Sequence, residues 1–356
     1  MASPSGTQTS PQAQTADWRL VGMVLLCVRF VQGWIYWGGG SRRFIYAPQK
    51  LDPHAAHWMA NKFQTAMPGA ILGMDHVVDY LLRHAHLLYA GVILFSAAEL
   101  VVGLFLLLGF MTRASALASM GLSFVLMLLF GWQGATCIDE WTMASANFAM
   151  GAALLLGGAG FYSVDAWLMN KKPHLAAARW FTCLASGPQP ENAVRRLSRW
   201  LFLVTIVFVV STYNYYRGSV FTPFHGGPVS PAKHHVTLTD AKILADGGVS
   251  FHAYLDGGTP AVPAHVARIE LKNAGGALVE TWTGGMLAAL PKTAFANDYA
   301  YNKFAPGFES IAAPVGAKAT ISLPAAVRGI RLVNGLYTIE ATLIDGRSFS
   351  AKAVLR

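Results

Sequence analysis

The sequence predicts an integral membrane protein: an all-α helical bundle of four core helices plus a fifth transmembrane helix, followed by an all-β sandwich domain. Three observations carry this. Of 356 residues, 54% are hydrophobic and 13% charged, about half the charged share of a soluble protein. The apolar residues crowd between Trp18 and Tyr216. Beyond them, short runs separated by glycine turns read as strands.

The elements follow in order. Residues 1–17 are rich in Ser, Thr, Gln and Pro and lack the basic start of a signal peptide, so they read as a disordered tail. About 20 apolar residues cross a bilayer core of roughly 30 Å. Trp18–Trp37, Leu87–Phe110, Ala114–Trp132 and Met143–Tyr162 meet that test. Trp200–Tyr216 is shorter but carries Trp200, Tyr213, Tyr215 and Tyr216, an interfacial aromatic belt. The helical domain therefore spans 18–216. Between its first two helices, Asp75–Arg83 has apolar residues at helical spacing and predicts a short amphipathic surface helix. A Pro/Gly-rich linker, 217–233, leads to a β domain over 234–356. Its strands are expected at His235–Thr239, Val249–Leu255, Val266–Leu271, Ala277–Thr283, Ala319–Leu323, Leu336–Ile344 and Ser348–Val354. Turns such as Asp246-Gly247-Gly248 and Asn334-Gly335 separate them.

Charge sets the orientation. Residues 165–199 carry Lys171, Lys172, Arg179, Arg195, Arg196 and Arg199 against Asp165 and Glu191, so this loop is expected inside. A multi-pass protein of the cytoplasmic (inner) membrane follows, with a cytoplasmic N-terminus and a periplasmic C-terminal domain. The outward 38–86 segment carries Arg42, Arg43, Lys50, Lys62 and Arg83 against that trend, which suits an anionic ligand. The net charge of +9 lies largely at helix ends, so no nucleic-acid partner is expected. Three cysteines without a CxxC pair argue against a disulfide framework and a zinc site. No dinucleotide fingerprint, haem-attachment motif or P-loop occurs, so flavin, haem and metal are not expected. His225, His234, His235, His252 and His265 read as scattered surface histidines.

Ionisable residues within apolar spans are functional candidates. Arg29 lies roughly 12 Å and Glu99 roughly 18 Å from the outer ends of their helices at 1.5 Å per residue. An Arg29–Glu99 pair is expected, either as a structural ion pair or as a pocket for a ligand or a proton. On the outer face, Cys137 shares a compartment with Arg42, Arg43, His84 and His86. Cations beside a cysteine stabilise its thiolate; the alternative is an inert residue. Asp139 and Glu140 either accept protons or cap the next helix. Asn147 can hydrogen-bond across the bundle. A quinone, with carbonyls that need donors and a ring that needs apolar walls, suits an outer pocket lined by Trp34, Tyr36, Trp37, Trp132 and Trp141. The alternative for these aromatics is an interfacial belt.

The hairpin Ala98-Glu99-Leu100-Val101-Val102-Gly103 through Gly109-Phe110-Met111-Thr112-Arg113, with Arg29, Gly33 and Asn147, resembles the DoxD/DoxX membrane family, whose core is a four-helix bundle. Gly134-Ala135-Thr136-Cys137-Ile138-Asp139-Glu140-Trp141 resembles the DoxD branch, and the C-terminal domain resembles DoxA. The resemblance implies a fused thiosulfate:quinone oxidoreductase, which oxidises two thiosulfates to tetrathionate and passes two electrons to a diffusible membrane quinone. On that reading Cys137, Glu99 and Asp139 are catalytic, and Arg29, Arg42, Arg43, His84 and His86 hold substrate. Trp34, Trp37, Trp132, Trp141 and Asn147 contact quinone. The partners are thiosulfate, quinone and the lipid bilayer, and a homo-oligomer is compatible with the sequence. The competing class is a non-catalytic membrane scaffold or small-anion carrier.

Overall fold

The computed structural model describes residues 11–46, 48–55, 57–134, 139–218, 229–327 and 332–355. Cys137 and His225 lie outside them. The described residues form two compact units.

The first unit is helical and draws on residues within 1–52, 89–127 and 141–224. Helix α1 (Pro11–Val24) and α2 (Leu26–Ser41) meet in a 58° bend, and a π-helical turn, Arg42–Tyr46, continues α2. Two short helices of the second unit follow, α3 (Met59–Ala66) and α4 (Met74–Arg83). Then come α5 (Ala85–Leu108), α6 (Thr112–Phe130), α7 (Glu140–Gly157), the short α8 (Val164–Lys171), α9 (Pro173–Ala177) and α10 (Arg179–Leu184), and α11 (Glu191–Arg217). The five expected helical segments are all present, but they are not equally apolar. Helices α5 and α6, with mean hydropathies of 2.4 and 1.7, are long and apolar enough to cross a membrane, and the bent α1–α2 pair adds a third if its two parts are counted as one span. Helix α7 is diluted by Glu140, Asn147 and small residues, and α11 by Glu191, Arg195, Arg196 and Arg199 in its first turns. Phe202, Leu203 and Val207 further along α11 are nevertheless exposed, a surface suited to lipid.

Glycines let α2 and α5 touch backbone to backbone. A Cβ at Gly40 would meet the Leu100 backbone at 2.7 Å, and one at Gly103 would meet the Trp37 nitrogen at 2.2 Å. Close approach of this kind is how apolar helices gain dispersion contacts in a bilayer, where no hydrophobic force draws them together. Tyr36, Val102, Leu106, Ala116 and Leu154 form the core beneath.

The second unit contains the β-sandwich and the described residues of 53–88 and 128–140. One antiparallel sheet runs β1 (His235–Ile243), β2 (Val249–Gly257), β8 (Lys318–Leu323), β5 (Phe295–Asn297). The other runs β10 (Ser348–Leu355), β9 (Gly335–Leu343), β3 (Ala264–Asn273), β7 (Ser310–Ala313), β6 (Ala305–Gly307), with β4 (Leu278–Trp282) also on β3. A one-turn helix, α12 (Gly284–Ala288), follows β4. Alternation places Phe251, Ala253 and Leu255 of β2 and Ile269 and Leu271 of β3 in the core, as period-2 strands with one buried face require. All seven expected strands form. Three more, β5, β6 and β7, have only three or four residues and too little alternation to be read, and β6 holds Pro306, tolerated because it is an edge strand.

Segments 53–88 and 128–140 join this unit through buried polar contacts. Gln64 on α3 accepts from the Asn302 amide at 2.9 Å and donates to the carbonyls of Asn302 and Gly316, both at 2.9 Å. Gly316 has φ +85°, and a Cβ there would lie 2.0 Å from the Gln64 carbonyl oxygen, so no other residue fits.

Candidate functional site

Three polar centres emerge. The first lies at one end of the helical unit and corrects an expectation. Arg29 does not reach Glu99. Its guanidinium donates to the carbonyls of Ala159 at 2.9 Å and Tyr162 at 2.7 Å, past the end of α7. Gly109, with φ +63°, makes room: a Cβ there would come within 2.6 Å of Arg29 Nη1. Asp165 accepts from the Met111 amide at 2.8 Å, the Thr112 amide at 3.1 Å, the Thr112 hydroxyl at 2.7 Å and Ser186 at 2.9 Å. Burial pushes its carboxyl up, against the pull of these hydrogen bonds. Arg113 donates to the carbonyls of Leu155, Thr182 and Gly187. Gly109-Phe110-Met111-Thr112-Arg113 is thus a clasp that satisfies open backbone groups at helix ends.

The second centre holds Glu99. The π turn after α2 carries Arg43 to it, and the two form a buried ion pair with side chains 11% and 7% exposed. Arg43 Nη1 also reaches Ser96 Oγ at 3.4 Å, while Arg43 Nε is buried without an acceptor among the described residues. Arg43 lies roughly 20 Å further along the helix than Arg29 at 1.5 Å per residue, which is why the two arginines divide the roles. Deeper in the unit, Tyr36 donates to the Ser119 carbonyl at 2.9 Å and lies 2.8 Å from Ser123 Oγ. Gln32 donates to Ser119 Oγ at 3.2 Å and to the Asn147 carbonyl at 2.7 Å. Sequence reasoning missed Gln32, Ser119 and Ser123. The available signal was a glutamine, Gln32, within the apolar run that follows Arg29 in the first span.

The third centre, in the second unit, surrounds Cys137 in sequence. Lys62 and Thr65 of α3 hold residues on either side of it. Lys62 Nζ pairs with Glu140 at 2.9 Å, and Gln133 Nε2 donates to the Thr65 carbonyl at 2.8 Å. Trp132 is buried, donates to the Ala66 carbonyl at 2.8 Å and lies over Gly69, where a Cβ would fall 2.2 Å from its ring. Asp139 packs against Gly134. In the same unit α4 faces the sandwich: Asp79 accepts from Tyr299 and, at 3.0 and 3.2 Å, from Arg83. Lys318 lies 4.0 Å from Asp79, and Asp298 receives Arg83 at 3.8 Å and His252 at 3.3 Å. Burial alone would push Asp79 up, but hydrogen bonds from Arg83 and Tyr299 and the nearby Lys318 outweigh it and hold the carboxyl below its ordinary value.

The remaining site candidates disperse. Trp34 is exposed and stacks on Phe30 at 5.9 Å. Trp37 is half-buried at the α2–α5 crossing. Trp141 donates to Thr212 of α11 at 2.9 Å. Arg42 and His86 are exposed, and exposed His84 caps the Tyr80 carbonyl at 2.7 Å. The β-domain histidines bond separately, His235 to Asp256, His252 to Asp298, His265 to Ser310 and His234 to the Val262 carbonyl. Among the described residues no three His, Cys, Asp or Glu side chains form a metal-binding group.

The family described as TQO small subunit DoxD matches residues 24–189. The family described as TQO small subunit DoxA matches residues 216–352. The chain belongs to both: it is a fused DoxD–DoxA protein. The DoxD match covers the clasp, the Arg43–Glu99 pair and the Cys137 segment, and the DoxA match covers most of the sandwich. A fused DoxD–DoxA chain with two to three helices fit to cross a bilayer is a membrane protein of the TQO type.

Proposed function

We propose that this chain oxidises thiosulfate to tetrathionate and passes the electrons to membrane quinone. The observation that carries the reading is the presence of both TQO small-subunit families in one polypeptide. The geometry adds support. Glu99 and Arg43 place a carboxylate and a guanidinium in the interior of the helical unit. Arg43 Nε is a buried donor that suits a quinone carbonyl oxygen, and Glu99 suits delivery of its proton. Quinone supplies the two-electron sink when bound.

The balance is two thiosulfates, one quinone and two protons giving one tetrathionate and one quinol. In the covalent version, the Cys137 thiolate and one thiosulfate lose two electrons to quinone and form a thiosulfonate on sulfur. The sulfane sulfur of the second thiosulfate then attacks it, forming tetrathionate and releasing the thiolate. Lys62, held beside the segment by its contact with Glu140, offsets the negative charge, and Asp139 takes part in proton exchange. The charge bias of residues 165–199 supports a cytoplasmic N-terminus and a periplasmic reaction.

Purified chain given thiosulfate and decylubiquinone, then quenched in acid, tests the covalent step. A mass increase of one thiosulfate on the Cys137 peptide is expected. Full turnover by Cys137→Ser would remove the covalent step and leave direct attack on quinone. No thiosulfate-dependent quinone reduction at all would favour a scaffold or anion carrier.

A further inference from the structure

The helical unit keeps a polar seam in its interior that the reaction above does not use. Gln32 on α2 is 0% exposed and Asn147 on α7 5%. Gln32 Nε2 gives its two hydrogens to the Asn147 carbonyl and to Ser119 Oγ. A carbonyl only accepts, so this amide cannot be turned over. Asn147 is fixed in the same way, because its Nδ2 donates to the Met143 carbonyl at 2.9 Å. Two buried side-chain oxygens remain, Gln32 Oε1 and Asn147 Oδ1, and neither has a donor among the described residues. The neighbouring hydroxyls are already directed elsewhere: Ser119 to the Ala116 carbonyl at 2.7 Å, Ser123 to the Ser119 carbonyl at 2.8 Å, and Tyr36 to that same carbonyl. Folded proteins seldom leave buried acceptors unmatched, and here two lie on helices joined by one hydrogen bond.

We infer that Gln32 Oε1 and Asn147 Oδ1 form a site for a hydroxyl donor inside the bundle, filled by the O–H of a reduced quinone headgroup or of a bound water. An oxidised quinone does not suit these atoms, since its carbonyl oxygens would face two acceptors. A quinol donates to either one. Asn147 therefore contacts the reduced form through its oxygen, where a quinone carbonyl would need its nitrogen. The quinol arm rests on the reading of quinone as electron acceptor and gives the product a place in the membrane interior.

The test uses the full chain in lipid nanodiscs without thiosulfate, titrated with decylubiquinol and with decylubiquinone. The quinol is expected to bind about tenfold more tightly, the worth of one hydrogen bond. Asn147→Leu should abolish that preference, and Gln32→Met should act in the same direction. If the two forms bind alike, the water arm predicts an O–H stretch in quinone-free protein that shifts in H₂¹⁸O and is absent in Asn147→Leu. Neither signal, together with a higher melting temperature for Asn147→Leu, would mean dry acceptors and overturn the site. Because the titration needs no turnover, a quinol preference without thiosulfate oxidation refutes only the proposed reaction. Turnover with neither signal refutes only the site.

Discussion

Removing the Arg43 guanidinium takes the ion-pair partner from a carboxylate that is only 7% exposed. Truncating one member of a buried pair costs about 3–5 kcal/mol, because the other charge stays desolvated, whereas replacing both by apolar groups is often close to neutral. Arg43→Met is therefore expected to destabilise the chain by about 3–5 kcal/mol. At about 2–4 °C per kcal/mol for a unit of this size, that lowers the melting temperature by roughly 6–20 °C. Adding Glu99→Leu should restore most of the loss. The assay is tryptophan-fluorescence melting in nanodiscs for wild type, both single variants and the double variant, with quinone reduction measured on each. The double variant should be folded but inactive, which separates the structural role of the pair from its proton chemistry. Additive losses, with the double variant as unstable as the sum of the singles, would refute the pairing. A double variant with full activity would refute the role of Glu99.

Gly109→Ala combines a left-handed backbone with a Cβ 2.6 Å from Arg29 Nη1; a loss above about 1 kcal/mol is expected, and unchanged melting would count against the clasp. Gln64→Ala leaves the Asn302 amide and the Gly316 carbonyl without their partner, so about 1–3 kcal/mol should be lost, read as faster hydrogen exchange around Asn302. The Asp79 carboxyl, lowered in the folded chain, contributes stability that is complete above its unfolded value near 4 and is lost as pH falls through the folded value. Protease protection of the Tyr299 segment should accordingly weaken at acid pH in wild type and become pH-independent in Asp79→Asn. Acid-insensitive protection in wild type would refute that contact.

The elements with strong periodicity were legible. Asp75–Arg83 folds as a helix with Val78 and Leu82 buried, and the seven long strands form where alternation placed them. Which charge meets which was not. The pairing of Glu99 depends on three features that leave no local trace: the bend between α1 and α2, the π turn that extends α2 past Ser41, and the glycine crossing with α5. Counting depth along straight helices therefore chose Arg29 over Arg43. The role of Gln64 was hidden for a similar reason, because its partners lie more than 230 residues away. Residue type and position leave Trp132 as either a pocket wall or a belt residue; its contacts with Gly69 and the Ala66 carbonyl are long-range in sequence and left no local sign.

The central claim is a stoichiometry. Full-chain protein in nanodiscs, given thiosulfate and decylubiquinone without oxygen, should form one tetrathionate and one quinol for every two thiosulfates consumed. Quinol without tetrathionate, or neither product, would contradict it.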